Sequence, residues 1–174
     1  MPPQLDIESI RNRIPVRYRI HILIRGFMIL LSGAIAAYSV YFIAFHVRGD
    51  TPLFFKLLPF VIFFVGMDAL LKHLLGLNSV TFWDEQLQLA FLAKKSILIP
   101  YDKIRSIELQ RNITYYLYIY YTDENAKDQT FRTKASFPKI LEIILGIYEL
   151  APNLTLTEKM KQTCEYLSQN KREG

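Results

Sequence analysis

Residues 26–77 hold two apolar segments joined by a short polar turn, and an ordinary soluble core has no place for a pair this long. Segment 26–45 is twenty residues without a charged side chain. As a helix rising ~1.5 Å per residue it spans ~30 Å, the thickness of a bilayer's hydrocarbon core. Segment 54–77 is equally apolar apart from Lys56 near its start and Asp68, Lys72 and His73 toward its end. The turn at 46–52 contains Gly49, Pro52 and three titratable groups, so the chain leaves the hydrocarbon there and returns. A transmembrane helical hairpin is the expectation.

Its orientation follows from the arginines. Arg11, Arg13, Arg17, Arg19 and Arg25 precede the first span against Asp6 and Glu8, whereas the inter-span turn has only Arg48, balanced by Asp50. The positive-inside rule then puts both termini in the cytoplasm. A cleaved signal peptide is the competing reading, because Ala34-Ile35-Ala36 has small residues at cleavage spacing; the long basic leader and full-length span argue against it.

The net charge of +5 over 174 residues is uneven. Residues 1–25 carry +3, whereas residues 78–174 have thirteen Lys and Arg against twelve Asp and Glu. That balance suits anionic lipid rather than nucleic acid, with Arg11, Arg13, Arg17, Arg19, Arg25, Lys94 and Lys95 as the candidate lipid contacts. Cys164 is the sole cysteine, which excludes an intramolecular disulfide and fits a reducing compartment.

The leader, residues 1–25, begins polar, with a short helix expected around 7–12. Across 16–25, Val16, Tyr18, Ile20, Ile22 and Ile24 alternate with Arg17, Arg19, His21, Leu23 and Arg25. A helical or irregular lead-in with snorkelling arginines is favoured; a strand returning to the C-terminal sheet is the alternative. Within the spans, Gly33 and Ala37, with Ser32 and Ala36 beside them, are expected to pack on Gly66 and Ala69. Asp68 is the one acid inside a span. It is either an ion or proton site or the partner of Lys72 one turn on.

From residue 78 the period switches to two. Strands are expected over 79–83, 87–92, 96–99, 103–110, 113–122 and 129–134, with turns at Asp84-Glu85, Lys94-Lys95 and 123–128. Six strands at this spacing imply an antiparallel barrel or sandwich within a domain at 78–153. A helix over 137–150 follows, N-capped by Ser136, with Lys139, Glu142, Gly146 and Glu149 on one narrow stripe and a broad apolar remainder. That remainder must cover a sheet, plug a barrel mouth, or meet a neighbour. Residues 154–174 give a weaker amphipathic helix over 157–169, with Met160, Cys164 and Leu167 in register, and a polar tail.

Two transmembrane helices, then Trp83-Asp84-Glu85-Gln86-Leu87, then Ile97-Leu98-Ile99-Pro100-Tyr101-Asp102-Lys103-Ile104 with Ile107 behind it, then further strands and an apolar helix, resemble the bacterial pleckstrin-homology-like (PH-like) membrane proteins. The likeness covers most of the chain beyond residue 22. It implies an α+β membrane protein of a bacterial plasma membrane, with a PH-like β domain closed by a helix at the cytoplasmic face. Phosphoinositide-binding relatives carry basic residues in the first hairpin turn; Asp84-Glu85 here implies no such recognition. A two-helix photosystem-assembly family shares the layout without its local signatures.

No catalytic constellation emerges. His21, His46 and His73 stand apart from one another and from Cys164, and no two glycines lie within six residues, so neither a zinc site, a phosphate loop nor a cofactor is expected. The conspicuous surface is a strand on which Tyr116, Tyr118 and Tyr120 alternate with Leu117 and Ile119. With Leu117 and Ile119 in the core, the three tyrosines are partner-binding candidates, unless they serve cross-strand packing. The expectation is a non-enzymatic, membrane-anchored interaction module for a protein partner, a second copy or anionic lipid. The alternative is a subunit or assembly factor of a larger transport or photosynthetic membrane complex, using Asp68 and the hairpin.

Overall fold

The computed structural model describes residues 10–169, and these form two compact units. One consists of Ile20–Asn78 with Phe91–Lys95; the other holds the N-terminal residues through Arg19, Ser79–Ala90 and the chain from Ser96 onward. The expected short helix at 7–12 is a 3-10 turn at Ile10–Asn12, with residues 7–9 outside the described residues.

The first unit contains the two long helices, α1 (Ile22–His46) and α2 (Leu53–Leu75). In their most apolar stretches only 17% and 11% of the residues are buried, so most of their apolar side chains are exposed. Both are long and apolar enough to cross a membrane. They pack through Ser32 and Ala36 rather than Gly33 and Ala37. The position at which a Cβ on Gly66 would sit is 3.3 Å from the Ala36 nitrogen and 3.4 Å from the Ser32 carbonyl oxygen, whereas Gly33 faces open space. Adjacent helical positions differ by about 100° around the axis, and the expected small pair lay one position off the contact line.

The strands β1 (Val16–Arg19), β2 (Leu77–Phe82), β3 (Gln86–Phe91) and β4 (Ile97–Pro100), most of whose residues belong to the second unit, form a sheet in that order. The helical lead-in is therefore corrected over 16–19. Tyr18 is buried edge-on to Phe82 while Arg17 and Arg19 are exposed, so the alternation in sequence was that of a strand, pairing Val16 with Phe82 and Arg19 with Ser79.

A second sheet has the order β7-β6-β5-β8, with β5 (Ile104–Arg111), β6 (Tyr115–Thr122), β7 (Asp128–Lys134) and a two-residue β8 (Thr155–Leu156) parallel to β5. The ladders remain two separate sheets, so the barrel is not closed, and the second sheet is mixed rather than purely antiparallel. The Pro100-Tyr101-Asp102 stretch turns the chain from the first sheet into the second. Tyr101 is buried and its hydroxyl donates to the Trp83 carbonyl at 2.8 Å, fixing the β2–β3 turn.

The helix α3 (Ile140–Leu150) begins after Lys139, whose left-handed φ of 58° stops helical geometry from reaching Ser136. Ser136 is therefore not its cap. Its polar stripe also turns inward: Glu142 and Gly146 are buried, and the Glu149 carboxylate accepts the Ile10 N–H at 3.3 Å. A Cβ on Gly146 would collide with Ile10 and come 2.9 Å from the Phe82 ring, so only glycine permits this approach. The 3-10 turn and α4 (Glu158–Gln169) both pack against α3, leaving Tyr148 as the exposed position on its middle turns. Met160 and Cys164 are buried as their register requires, whereas the side chain of Leu167 and residues 170–174 lie outside the described residues.

Candidate interaction surface

β6 lies between β7 and β5 in the second sheet. Leu117 and Ile119, 0% and 1% exposed, sit beside Leu109 and Ile107 of β5 on the core side. The alternation that buries them turns Tyr116, Tyr118 and Tyr120 to the opposite face, where all three are half-buried. The Tyr118 and Tyr120 rings stack at 6.3 Å with an interplanar angle of 16°, and the Arg132 guanidinium lies 5.0 Å over Tyr116.

Cross-strand neighbours make this face amphoteric. On the β7 side Thr130, Arg132 and Lys134 register with Tyr120, Tyr118 and Tyr116; on the β5 side Ser106, Glu108 and Gln110 do so. Gln110 donates to the Glu108 carboxylate at 2.7 Å. Partial desolvation and then the Glu108 charge hold the Tyr120 phenol above its usual range. The result is a flat patch of aromatic faces with hydroxyl tips between a basic and an acidic flank. Large amphipathic side chains of this kind supply contact area at small entropic cost.

Arg11, Arg13, Arg17 and Arg19 are exposed, with Arg17 donating to the Ser79 hydroxyl at 3.2 Å. Arg25 differs from them. It is 5% exposed, and its guanidinium donates to the carbonyls of Leu77 and Gly76 at 2.7 Å each and to that of His73. Its two terminal nitrogens are engaged by the end of α2 and the residues just beyond it, which takes it out of the lipid-contact set; its place on the same alternation as Arg17 and Arg19 concealed this. Lys94 and Lys95 are exposed on the β3–β4 turn. The Ala93 N–H donates to the Leu74 carbonyl at 3.1 Å, which ties that turn to the end of α2 with half-exposed Leu92 beside it.

Asp68 forms an ion pair with Lys72 one turn on, both side chains well exposed. The groove of about 470 Å³ between α1 and α2 is almost wholly apolar, and the Ser39 hydroxyl within it donates to the Ile35 carbonyl at 2.8 Å. Among the described residues no three His, Cys, Asp or Glu side chains are grouped to hold a metal ion.

Comparison of the chain with protein-family models, with curated proteins and with solved structures finds no match.

Proposed function

We propose that this protein is a membrane-anchored interaction module, in which the hairpin holds a PH-like β domain at the cytoplasmic face of a bacterial plasma membrane and the tyrosine face of β6 binds a protein partner without catalysis. The observation that carries this reading is the half-exposed Tyr116, Tyr118 and Tyr120 row, whose reverse side is fully buried core. A solvated strand face has no need of three aromatic rings in a row, and aromatic side chains concentrate at protein interfaces. The two-sheet arrangement with a packed C-terminal helix is consistent with a PH-like domain, and the acidic, exposed Asp84-Glu85 turn argues against a phosphoinositide ligand.

Anionic lipid plays a supporting part, through the exposed arginines of the leader and Lys94-Lys95. A role for Asp68 as an intramembrane proton or ion site is disfavoured by its pairing with Lys72. The test is photo-crosslinking in intact cells with a reactive amino acid in place of Tyr118. The proposal expects a discrete adduct with a protein other than a second copy, absent when the reactive group replaces exposed Lys161. Equal labelling at both positions contradicts it.

A further inference from the structure

The edges of the two sheets are unequal. β1 and β4 have four residues each, β1 following Pro15 and β4 ending in Pro100, and β8 has two. Short edges and prolines are the usual protection against strand addition. Among the described residues β7 is the longest edge strand: seven residues, Asp128–Lys134, without proline or register break, paired on one side to β6, with the charges of Asp128, Arg132 and Lys134 as its guard against an arbitrary partner.

The backbone direction of β7 follows from its two ends. Asp123 N–H donates to the Lys127 carbonyl at 2.9 Å, and Ala135 N–H donates to the Tyr115 carbonyl at 2.9 Å. In an antiparallel ladder the inward-bonding residues alternate, so positions 129, 131 and 133 face β6 and Asp128, Thr130, Arg132 and Lys134 direct their N–H and C=O groups away from it. Four consecutive outward donor and acceptor pairs form a template for another strand.

We infer that β7 is a homodimerisation edge, on which β7 of a second copy adds antiparallel about a two-fold axis through Phe131. The sequence of the strand is self-complementary in that register. Asp128, whose exposed carboxylate pairs with Arg105 at 2.9 Å within the chain and has a second oxygen to offer, falls opposite Lys134 of the second copy at both ends, Thr130 falls opposite Arg132, and all seven residues are paired. Shifting the axis to Arg132 would place two guanidiniums against each other, which disfavours that register. The correct register also matches the backbone, because outward-facing residues meet outward-facing residues. Pairing would join the two second sheets into one, with both tyrosine rows on continuous faces and free for another partner. The inference does not rest on the partner-binding reading of those tyrosines.

The test is the protein mass of the full chain in non-denaturing detergent and in lipid nanodiscs. The expected value is twice the 20.4 kDa of one chain. Thr130→Pro removes an outward N–H without costing a β6 bond, and it should give single-chain mass with an unchanged thermal melt. Lys134→Asp sets carboxylates against Asp128 at both ends and should weaken the dimer roughly tenfold or more. The double variant D128K/K134D should restore it, which keeps the inference testable if Thr130→Pro fails to fold. A single-chain mass for the unaltered protein, or a dimer indifferent to all three variants, overturns the inference. Neither result bears on photo-crosslinking at Tyr118, so this inference and the proposed function fail separately.

Discussion

The guanidinium of Arg25 donates to the main-chain carbonyl of Leu77, fifty-two residues away, at 2.7 Å. Together with the bonds to His73, in the last turn of α2, and to Gly76 just past it, it closes the base of the helical hairpin where helical bonding ends. A planar five-donor group can serve three carbonyls at once, whereas an ammonium cannot hold that fan.

Arg25→Lys should therefore destabilise the protein by about 2 kcal/mol or more, the scale of one charge-assisted hydrogen bond lost in a buried setting. Arg25→Ala should cost more, because three carbonyls lose their donor. Unfolding in mixed micelles measures both. Arg19→Ala, at an exposed position, is the control and should stay within about 0.5 kcal/mol.

The two sides of β6 should respond in opposite ways. Leu117→Asp or Ile119→Asp puts an unpaired carboxylate into a fully buried site and should cost about 3 kcal/mol or more, enough to unfold much of the domain. Changing Tyr116, Tyr118 and Tyr120 together to Ser should leave circular dichroism and the melting transition largely in place. What it removes is partner association, read by co-purification.

Much of this was legible in the sequence, for identifiable reasons. The two long apolar helices were visible because runs of about twenty apolar residues are interrupted only by the polar turn, and β6 because the alternation of Leu117 and Ile119 with tyrosines has the period of a strand. Where the reading failed, tertiary partners decided. Arg17 and Arg19 looked like an interfacial lead-in, but Tyr18 between them needed the Phe82 edge. The stripe of Glu142, Gly146 and Glu149 looked solvent-facing, but Ile10 from the far end of the sequence packs along it. β8 is too short to carry any periodicity.

Cys164 should be silent to thiol reagents in the native protein. It is wholly buried, and burial pushes its thiol from 9.0 up to about 11, with the Glu165 charge adding to the effect. The folded state thus holds the proton more tightly than the unfolded state does. This contribution to stability is complete below the unfolded value near 9 and is lost as pH rises toward about 11. Maleimide at neutral pH should label the thiol only after denaturation; rapid native labelling would show that α4 does not cover it.

Lipid contact through Lys94 and Lys95 should be electrostatic and unselective. Replacing both with Ala should reduce enrichment of anionic over zwitterionic lipid around the purified protein. Raising salt to 1 M, where screening shortens to ~3 Å, should remove the difference. Head-group-selective binding that survives high salt would contradict this assignment.

The proposed function rests on α1 and α2 crossing a membrane as a hairpin, and labelling at the turn between them tests this most directly. Gly49 lies in the exposed turn between α1 and α2, and a Cβ there meets nothing. Gly49→Cys should react with a membrane-impermeant maleimide on intact cells, against a Cys164 background that stays unlabelled, while tags at Met1 and Gly174 remain protected until the membrane is opened. A protected cysteine at position 49, or a tag accessible from outside, would contradict a hairpin with both ends in the cytoplasm.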